Sequence, residues 1–306
     1  MSQMFTAKKN VGMKRKQIAG KTITYIVLAV LSVIWIIPLV WMVIQSFAAP
    51  TVGDDGAMLS SFGSSSLIPT SFDIYWYKQL FTSTQYPYLN WFFNTLIMAV
   101  VCLFLSTFFT ISMAYVMSRF RFKSRKTLQS VGLILGMFPG FMSMAAIYQI
   151  FRSVGMAGEV EIWKKHIALI MVYSGSASLG YYVSKGFFDT ISKSLDEAAR
   201  IDGATNSQVF FKIVLPLAKP IIVYTALMSF LGPWGDFIFA SYLLGAQAEG
   251  WTVAVGLYNM VTTGDLMKIY NMFLAGAVLV AVPITALFIG LQRYFVEGIT
   301  GGAVKG

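Results

Sequence analysis

Long runs of apolar residues, separated by shorter polar segments, dominate the pattern of the chain. A run of about 20 apolar residues is long enough to cross the hydrocarbon core of a membrane as a helix. Six runs meet this length: residues 25–47, 89–116, 127–151, 167–184, 220–244 and 271–292. Each is apolar on all sides, whereas a helix on the surface of a soluble core keeps a polar face. The pattern therefore predicts an all-α, polytopic membrane protein with six transmembrane helices.

The composition excludes several other classes of protein. Of 306 residues, 57% are hydrophobic and 12% are charged, against about 45–50% and about 25% in a soluble domain. The single cysteine and the single histidine, Cys102 and His166, provide no disulfide framework and no His or Cys cluster for a metal. We therefore expect no metal site and no catalytic residue, and we expect His166, beside Lys164 and Lys165, to be solvated.

The net charge of +10 could indicate nucleic acid binding, but the positions of the basic residues predict membrane orientation instead. Lys and Arg concentrate in four segments that lie on one side of the six spans: residues 1–24, 117–126, 185–219 and 293–306. Because cytoplasmic segments are enriched in Lys and Arg, both termini are predicted to face the cytoplasm. The resulting division is a cytoplasmic tail (1–24), a membrane domain (25–294) and a second cytoplasmic tail (295–306). Two external loops, residues 48–88 and 245–270, are long enough to be functional or mobile.

The connection of residues 185–219 is too polar for a membrane span and predicts two short helices separated by a glycine. Two pairs have the spacing of a capping box, Ser194 with Glu197 and Thr205 with Gln208. Gly203 is suited to end the first helix, because glycine accepts the left-handed conformation. Pro216 is predicted to end or kink the second helix, and Pro220 suits the first turn of the next span.

A short exposed helix of this kind has two interpretations. It can dock into a groove of another protein, or it can lie as an amphipathic helix at the membrane interface. The residues alone leave both possibilities open.

The same connection resembles the EAA loop of bacterial ABC importer permeases. The family pattern is Glu-Ala-Ala, a glycine six residues after the glutamate, and then Ile-x-Leu-Pro. The matching stretch contains Glu197, Ala198, Ala199, Asp202, Gly203, Ile213, Leu215 and Pro216. In that family the loop forms a coupling helix that seats in a cleft of the ATP-binding subunit. The resemblance therefore implies that these residues form an ATPase-coupling surface.

The resemblance extends from about residue 23 to the end of the chain, more loosely in residues 48–88. The order of the spans, the stretch 115–122 and the closing residues 301–306 are similar to the second permease subunit of maltose-type transporters. The resemblance implies the type I importer permease fold and a C-terminal tail, including Lys305 and Gly306, that contacts the ATPase. It also implies that residues 244–270 reach toward a sugar-binding protein. The implied partners are a second permease in a heterodimer, a dimer of ATP-binding subunits, the extracellular sugar-binding protein and membrane lipid. Nucleic acid is not an expected partner.

The chain contains no G-x-x-x-x-G-K-[ST] phosphate loop. We therefore expect no cofactor on this chain, and ATP and Mg²⁺ on the partner ATPase. Closure of that partner would move residues 194–216 as a rigid lever and alternate the access to an internal cavity.

Polar and aromatic residues within the spans are candidates for the substrate path: Asn94, Tyr148, Gln149, Tyr173, Trp234 and Asp236. Asp236 is the strongest, because an ionisable group inside a span is costly and tends to be functional, and Trp234 beside it suits a sugar ring. For Asn94 and Gln149, hydrogen bonding between helices is the alternative. In maltose-type transporters, much of the sugar contact comes from the partner permease.

The predicted function is the import of maltose, maltodextrin or a related oligosaccharide across the cytoplasmic membrane of a bacterium. An importer of another sugar or of glycerol phosphate is the alternative within the same class. An intramembrane enzyme would need paired acids or histidines within its spans, and an autonomous ion-coupled transporter would favour several intramembrane charges and inverted repeats. Dependence on an ATPase and a second permease would separate these classes.

Overall fold

The computed structural model describes the backbone of residues 2–54, 56–62, 68–137 and 140–303. Within these ranges, the side chains of residues 2–19, 178–179 and 295–303 are not described. The predicted tail residues Lys305 and Gly306 lie outside the described residues. The chain forms two compact units, Met1–Tyr77 with Leu266–Val278, and Lys78–Asp265 with Leu279–Gly306.

The first unit contains one long helix and a small irregular region. Helix α1 covers Ser2–Ser46, and no residue in its most apolar 18-residue stretch is buried. Strands β1 (Thr51–Val52) and β2 (Met58–Leu59) pair antiparallel, which is a small departure from the predicted all-α structure. Helices α2 (Tyr75–Thr82) and α14 (Leu266–Ala303) begin in this unit.

A buried asparagine fixes the irregular region of the first unit. Asn271, which is fully buried, donates hydrogen bonds to the carbonyl oxygen of Gln45 (2.6 Å) and to Oγ of Ser61 (2.8 Å). Its Oδ1 accepts a hydrogen bond from the backbone N–H of Ser61 (2.6 Å). The side-chain amide of Asn271 thus joins the end of α1, the loop after β2 and the first turns of α14.

The second unit is a helical bundle around α3. Its elements are α3 (Tyr88–Arg119), α4 (Arg125–Met137), α5 (Gly140–Ser153), α6 (Ile162–Leu179), α7 (Tyr181–Thr190), α8 (Lys193–Ile201), α9 (Asn206–Gln208), a π-helical turn (Val209–Val214), α10 (Leu215–Leu217), α11 (Lys219–Gly235), α12 (Ile238–Leu244), a 3₁₀ turn (Ala248–Gly250) and α13 (Val253–Thr263). Helix α3 packs against α6, α7 and α11. The apolar residues of α3 therefore face protein on one side and remain exposed on the other.

The number of apolar helices agrees with six spans, although some of the predicted spans are not single continuous helices. In the part of the chain that the structure describes, three helices are long and apolar enough to cross a membrane: Gly20–Ser46, Tyr88–Arg119 and Leu266–Tyr294. Three bent pairs of helices bring the number to six; one of them joins Asn206–Leu217 to Lys219–Gly235, and in that pair the crossing is assigned to α11, since Asn206–Leu217 belongs to the predicted polar connection. The third predicted span consists of two helices, α4 and α5, whose axes differ by 102°. The fifth is interrupted between α11 and α12, because Asp236 adopts an extended backbone (φ −79°, ψ 109°).

Of residues 245–270, predicted to be a long external loop, residues 248–263 are ordered on α3. They include the 3₁₀ turn and α13, and Trp91 of α3 donates a hydrogen bond from Nε1 to the carbonyl oxygen of Ala248 (2.7 Å). Gly256 of α13 lies against the same indole ring, at a distance that would place a Cβ atom 2.1 Å from Cε3 of Trp91. Only a glycine fits at this contact.

The start of α6 also binds this segment, which corrects the prediction that His166 is solvated. Nε2 of His166 is 2.8 Å from the carbonyl oxygen of Gly250, and the two are hydrogen bonded. Lys165, which is 3% exposed, donates to the carbonyl oxygen of Leu244 (3.0 Å) and to Oε1 of Gln247 (2.7 Å). Both side chains are used to hold the chain that follows α12.

Candidate functional site: a helical hairpin and a broken span

Residues 192–217 form a helical hairpin, as the capping and glycine pattern predicts. Helix α8 ends at Ile201, and Gly203 follows with φ +85°. The backbone N–H of Ala204 donates to the carbonyl oxygen of Ala199 (2.9 Å), which closes the end of α8. A left-handed residue with this bond is a common helix terminus, and glycine adopts it without a Cβ penalty. The hinge of the hairpin is therefore set by Gly203.

The second capping box is confirmed and the first is wrong. The backbone N–H of Gln208 donates to Oγ1 of Thr205 (3.3 Å), and the N–H of Thr205 donates to Oε1 of Gln208 (2.8 Å). Helix α8, however, begins at Lys193, and its N-cap is Ser192, whose Oγ accepts from the N–H of Ser194 (3.3 Å). Ser192 and Ser194 lie two residues apart, and a serine at either position can act as an N-cap. The spacing therefore did not distinguish between them.

The second arm of the hairpin bends sharply into α11. Asn206–Leu217 and Lys219–Gly235 differ in direction by 81°. The N–H of Leu215 reaches back five residues to the carbonyl oxygen of Phe210, which is the π-helical pattern. Pro216 follows this turn and has no N–H to donate, and the helix continues only to Leu217. The predicted kink at Pro216 is thus a one-turn widening followed by a bend at Ala218, and Pro220 lies in the first turn of α11 as predicted.

The residues that resemble the family motif divide between an outer and an inner face of the hairpin. Glu197, Ala198, Asp202, Gly203 and Pro216 are exposed. Ala199 is 8% exposed and belongs to the apolar core, with Ile213 and Leu215 half-buried against the same core. The inner residues hold the hairpin, and the outer residues are available to a partner.

The hairpin exposes four large apolar side chains that were not among the predicted residues: Leu195, Ile201, Phe211 and Leu217. Ile201 is 86% exposed and Phe211 is 61% exposed. Neither side chain is part of the apolar core, in contrast to Ala199 and Val209 of the same hairpin. These exposed side chains are available to an apolar groove of a partner.

A buried ion pair connects the hairpin to α3. Nε of Arg119, the last residue of α3, is 3.1 Å from Oδ2 of Asp196, and the two side chains are 2% and 7% exposed. Nη2 of Arg119 also donates to the carbonyl oxygen of Ile191 (2.9 Å), just before α8. Sequence reasoning missed this pair, because it assigned Arg119 to the basic residues that set membrane orientation.

Aromatic packing supports the same connection. The ring of Tyr115 in α3 lies 4.5 Å from that of Phe210 in the π-helical turn and 6.1 Å from that of Phe188 in α7. Val209 and Val214 are fully buried beside them. Both arms of the hairpin therefore pack against the same end of α3.

The second candidate site lies where α11 ends. Asp236 accepts hydrogen bonds from the N–H groups of Phe239 (3.1 Å) and Ala240 (3.1 Å), and from Oη of Tyr173 (2.7 Å). A cavity of about 350 Å³ adjoins these groups. Its lining includes Gly140, Phe141, Ser143 and Met144 of α5, Tyr173 and Ser176 of α6, and Asp236, Ile238 and Phe239.

The other candidates for the substrate path do not line this cavity. Asn94 donates to the carbonyl oxygens of Glu249 (2.9 Å) and Trp251 (3.2 Å), so its amide joins α3 to the 3₁₀ turn and the residue that follows it. Trp234 is 5% exposed and packs against Phe92 and Phe230. The ring of Tyr148 packs against that of Tyr242, with the ring centres 4.9 Å apart and the planes inclined at 53°. Of the predicted candidates, the structure brings together Asp236 and Tyr173.

Comparison with known proteins identifies the class to which this chain is related. The profile of the family described as binding-protein-dependent transport system inner membrane component matches residues 110–301. The chain is 36% identical over 297 residues to the galactooligosaccharides transport system permease protein GanQ of Bacillus subtilis, covering 96% of this chain and 99% of that protein. It is 38% identical over 298 residues to the maltodextrin transport system permease protein MalD of Streptococcus pneumoniae, covering 97% and 100%.

A solved structure shows the same fold. A chain of a bacterial ABC transporter involved in the import of the acidic polysaccharide alginate superposes with a TM-score of 0.72 at 19% identity, covering 89% of this chain and 95% of that one. The fold is therefore that of a transmembrane subunit of an ABC importer, as expected for six spans with a polar hairpin before the fifth. On the profile match and the two relatives, the chain belongs to the family of binding-protein-dependent transport system inner membrane components.

Proposed function

We propose that this chain is the permease subunit of an ATP-driven importer that moves maltodextrin or a related oligosaccharide across the cytoplasmic membrane. The names of the maltodextrin and galactooligosaccharide relatives support a neutral oligosaccharide as the substrate. The observation that carries the coupling role is the hairpin of residues 192–217, which is rigidly held on its inner face and exposes Ile201 and Phe211 on its outer face.

The ATPase is a separate polypeptide, and ATP and Mg²⁺ bind there. Glu197, Ala198, Asp202 and Gly203 form the outer end of the hairpin, and Ile201 supplies the apolar group that fits a partner's groove. When the ATPase closes, the hairpin moves as a body, because its inner face is joined to α3 by the Arg119–Asp196 pair and the packing around Tyr115. Displacement of α3 then changes access to the cavity inside the membrane domain.

The remaining partners follow from the family. A second permease completes the membrane domain, and with lipid it covers apolar surface such as that of α1. An extracellular sugar-binding protein delivers the substrate to the external side, toward residues 244–270. Lys305 and Gly306 in the C-terminal tail contact the ATP-binding subunits. Both termini face the cytoplasm, in keeping with the concentration of Lys and Arg near them.

The coupling role is tested by co-purification with the ATPase. We expect Ile201→Glu to reduce the amount of ATP-binding subunit recovered with the permease pair at least five-fold, because a carboxylate in an apolar groove loses its hydration. Lys123→Glu is the matched control, since Lys123 is exposed between α3 and α4 and lies outside the hairpin. Unchanged recovery with Ile201→Glu would contradict the docking of this face.

The transport role is tested with the reconstituted importer. In proteoliposomes that contain both permeases and the ATPase, with the binding protein added outside, we expect ATP-dependent uptake of maltotriose. A panel that also includes galactobiose and glycerol phosphate would show which class of substrate is moved. Uptake of glycerol phosphate alone would replace the oligosaccharide assignment, and uptake without the ATPase would overturn the importer mechanism.

A further inference from the structure

Two interrupted spans meet at one cavity in the second unit. Helix α11 ends at Gly235 and α12 begins at Ile238, while α5 begins at Gly140 after the break that follows α4. The first residues of α5, Gly140 and Phe141, and the junction of α11 and α12, at Asp236 and Ile238, line the same cavity of about 350 Å³. This volume lies within the range of small-molecule sites, which is about 300–1,000 Å³.

An interruption within a membrane span has an energetic cost, which indicates that the interruption has a function. A helix that is interrupted within the hydrocarbon region frees backbone groups, and these are tolerated only where they are buried in protein or line a water-filled cavity. In transporters, discontinuous helices commonly form the substrate site. Two breaks beside one cavity are therefore more informative than either break alone.

The polar groups of the cavity are only partly used within the chain. A carboxylate offers about four acceptor positions, and Asp236 fills three of them with the N–H groups of Phe239 and Ala240 and the hydroxyl of Tyr173. Oη of Tyr173 donates to Asp236 and keeps its own acceptor position. The hydroxyls of Ser143 and Ser176 line the same space. The cavity thus offers acceptors to a ligand that is rich in hydroxyl groups.

The apolar lining complements these acceptors. Phe141, Met144, Ile147 and Ile238 contribute side chains to the cavity, and Phe141 is 66% exposed. A sugar ring has hydroxyl groups around its edge and apolar C–H faces, so an aromatic ring next to hydrogen-bond acceptors fits it. Among the described residues, no Lys or Arg forms a salt bridge with Asp236. An acidic sugar would place a second negative charge beside this carboxylate, whereas a neutral sugar would not.

We propose that this cavity is a subsite for one ring of a neutral oligosaccharide, in which Asp236 and Tyr173 accept hydrogen bonds from sugar hydroxyls and Phe141 packs against the ring. This proposal rests on the proposed function, since the subsite would lie on the path of the transported sugar. The competing role for Asp236 is purely structural, as the group that caps the start of α12.

Cysteine labelling separates these roles directly. The native Cys102 is fully buried, so Ser176→Cys introduces a thiol that a water-soluble thiol reagent can reach through the cavity. In the complete importer in proteoliposomes, with binding protein present, we expect saturating maltotriose to slow the labelling at least five-fold. Ser153→Cys, exposed at the other end of α5, is the matched control and should react at the same rate with and without maltotriose.

Second substitutions in the Ser176→Cys background distinguish occupancy from a change of conformation. Tyr173→Phe should abolish protection by maltotriose, because it removes an acceptor while keeping the ring. Tyr242→Phe should leave the protection intact, since Tyr242 lies on α12 outside the cavity lining. Labelling that maltotriose does not change, no labelling of Ser176→Cys, or full protection in the Tyr173→Phe background would each overturn the subsite.

Transport measurements test the subsite separately from the proposed function. We expect Tyr173→Phe and Asp236→Asn to lower maltotriose uptake at least five-fold, while ATPase stimulation by the loaded binding protein stays within two-fold of that of the unaltered importer. Normal uptake in both variants would remove the subsite and leave the importer function standing. Failure of the unaltered importer to move any oligosaccharide would instead remove the proposed function.

Discussion

Arg119 and Asp196 form a buried ion pair, with Nε of Arg119 3.1 Å from Oδ2 of Asp196. Arg119 is the last residue of α3, and Asp196 lies in the first turn of α8. Nη1 of Arg119 and Oδ1 of Asp196 are buried and have no hydrogen-bond partner among the described residues. A buried pair with incomplete hydrogen bonding adds little net stability. Its position indicates that it fixes the direction of α8 relative to α3.

Removing one member of this pair should be more harmful than removing both. Arg119→Met leaves a buried carboxylate without a partner, which costs about 3–5 kcal/mol, and we expect a lower Tm and loss of ATPase recovery with the permease. The double variant Arg119→Met, Asp196→Leu should recover most of the Tm, because no uncompensated charge remains. Thermal unfolding of the purified permease pair measures both effects.

The transport readout of the same variants separates positioning from stability. If the ion pair directs α8, the double variant will be stable yet transport less sugar for each ATP hydrolysed. A double variant with normal Tm and normal coupling would show that apolar packing around Tyr115 and Phe210 is sufficient.

The hinge of the hairpin gives a second prediction. Gly203 has φ +85°, a conformation that costs an L residue about 1–2 kcal/mol, so Gly203→Ala should lower the Tm and weaken coupling. Gly186→Ala is the matched control, because Gly186 lies within α7 with no atom near its missing Cβ. Alanine there should be neutral or stabilising by about 0.5–1 kcal/mol. Equal Tm values for the two variants would contradict the requirement for a left-handed residue at 203.

The sequence predicted the hairpin well because short-range chemistry determines it. The capping pair Thr205 and Gln208 and the hinge Gly203 act within a few residues, and the structure contains both. The choice of Ser192 over Ser194 as the N-cap was missed, since both serines satisfy the same local rule. Local pattern fixes which elements form and leaves their ends uncertain by one or two residues.

The breaks in the spans and the buried ion pair could not be predicted in the same way. Residues 127–151 contain Pro139-Gly140, and residues 220–244 contain Gly232-Pro233 and Gly235. Because proline and glycine are tolerated inside membrane spans, both runs were predicted to be continuous. Asp236 was the one polar residue to mark a break, and its partner Tyr173 lies 63 residues away in the chain. Arg119 and Asp196 are likewise brought together only by the packing of α7 and α8 against α3.

Contact between α13 and α3 gives a third prediction. A Cβ atom on Gly256 would lie 2.1 Å from Cε3 and 2.2 Å from Cδ2 of Trp91, and Trp91 is 1% exposed. Gly256→Ala should therefore destabilise the second unit by about 1–3 kcal/mol or more, since overpacking forces the ring or the helix to move. Gly232→Ala in α11, where no atom lies within 4 Å of the added methyl group, should be tolerated.

Compensation at Trp91 would identify the cause. If the loss in Gly256→Ala comes from contact with the indole ring, Trp91→Leu should destabilise the Gly256→Ala background less than it destabilises the unaltered protein. Additive effects in a double-mutant cycle, measured by thermal unfolding, would instead assign the loss to α13 alone.

The last prediction concerns the buried amide of Asn271 in the first unit. Asn271→Leu keeps a similar volume but removes three hydrogen bonds, those to the carbonyl of Gln45 and to the N–H and Oγ of Ser61. A buried donor or acceptor left without a partner costs about 1–3 kcal/mol, so the loop of residues 48–74 should detach from α14. Limited proteolysis should then cut this loop faster, at a rate that rises at least ten-fold.

The matched control is Thr262→Ala, which removes exposed hydrogen bonds within α13 and should leave the rate of cleavage unchanged. Because the loss is local, uptake of maltotriose should fall less than the rate of cleavage rises. A loop that stays resistant in Asn271→Leu would mean that the remaining contacts, among them the bonds of Ser60 to Leu266 and Met267, are sufficient to hold it.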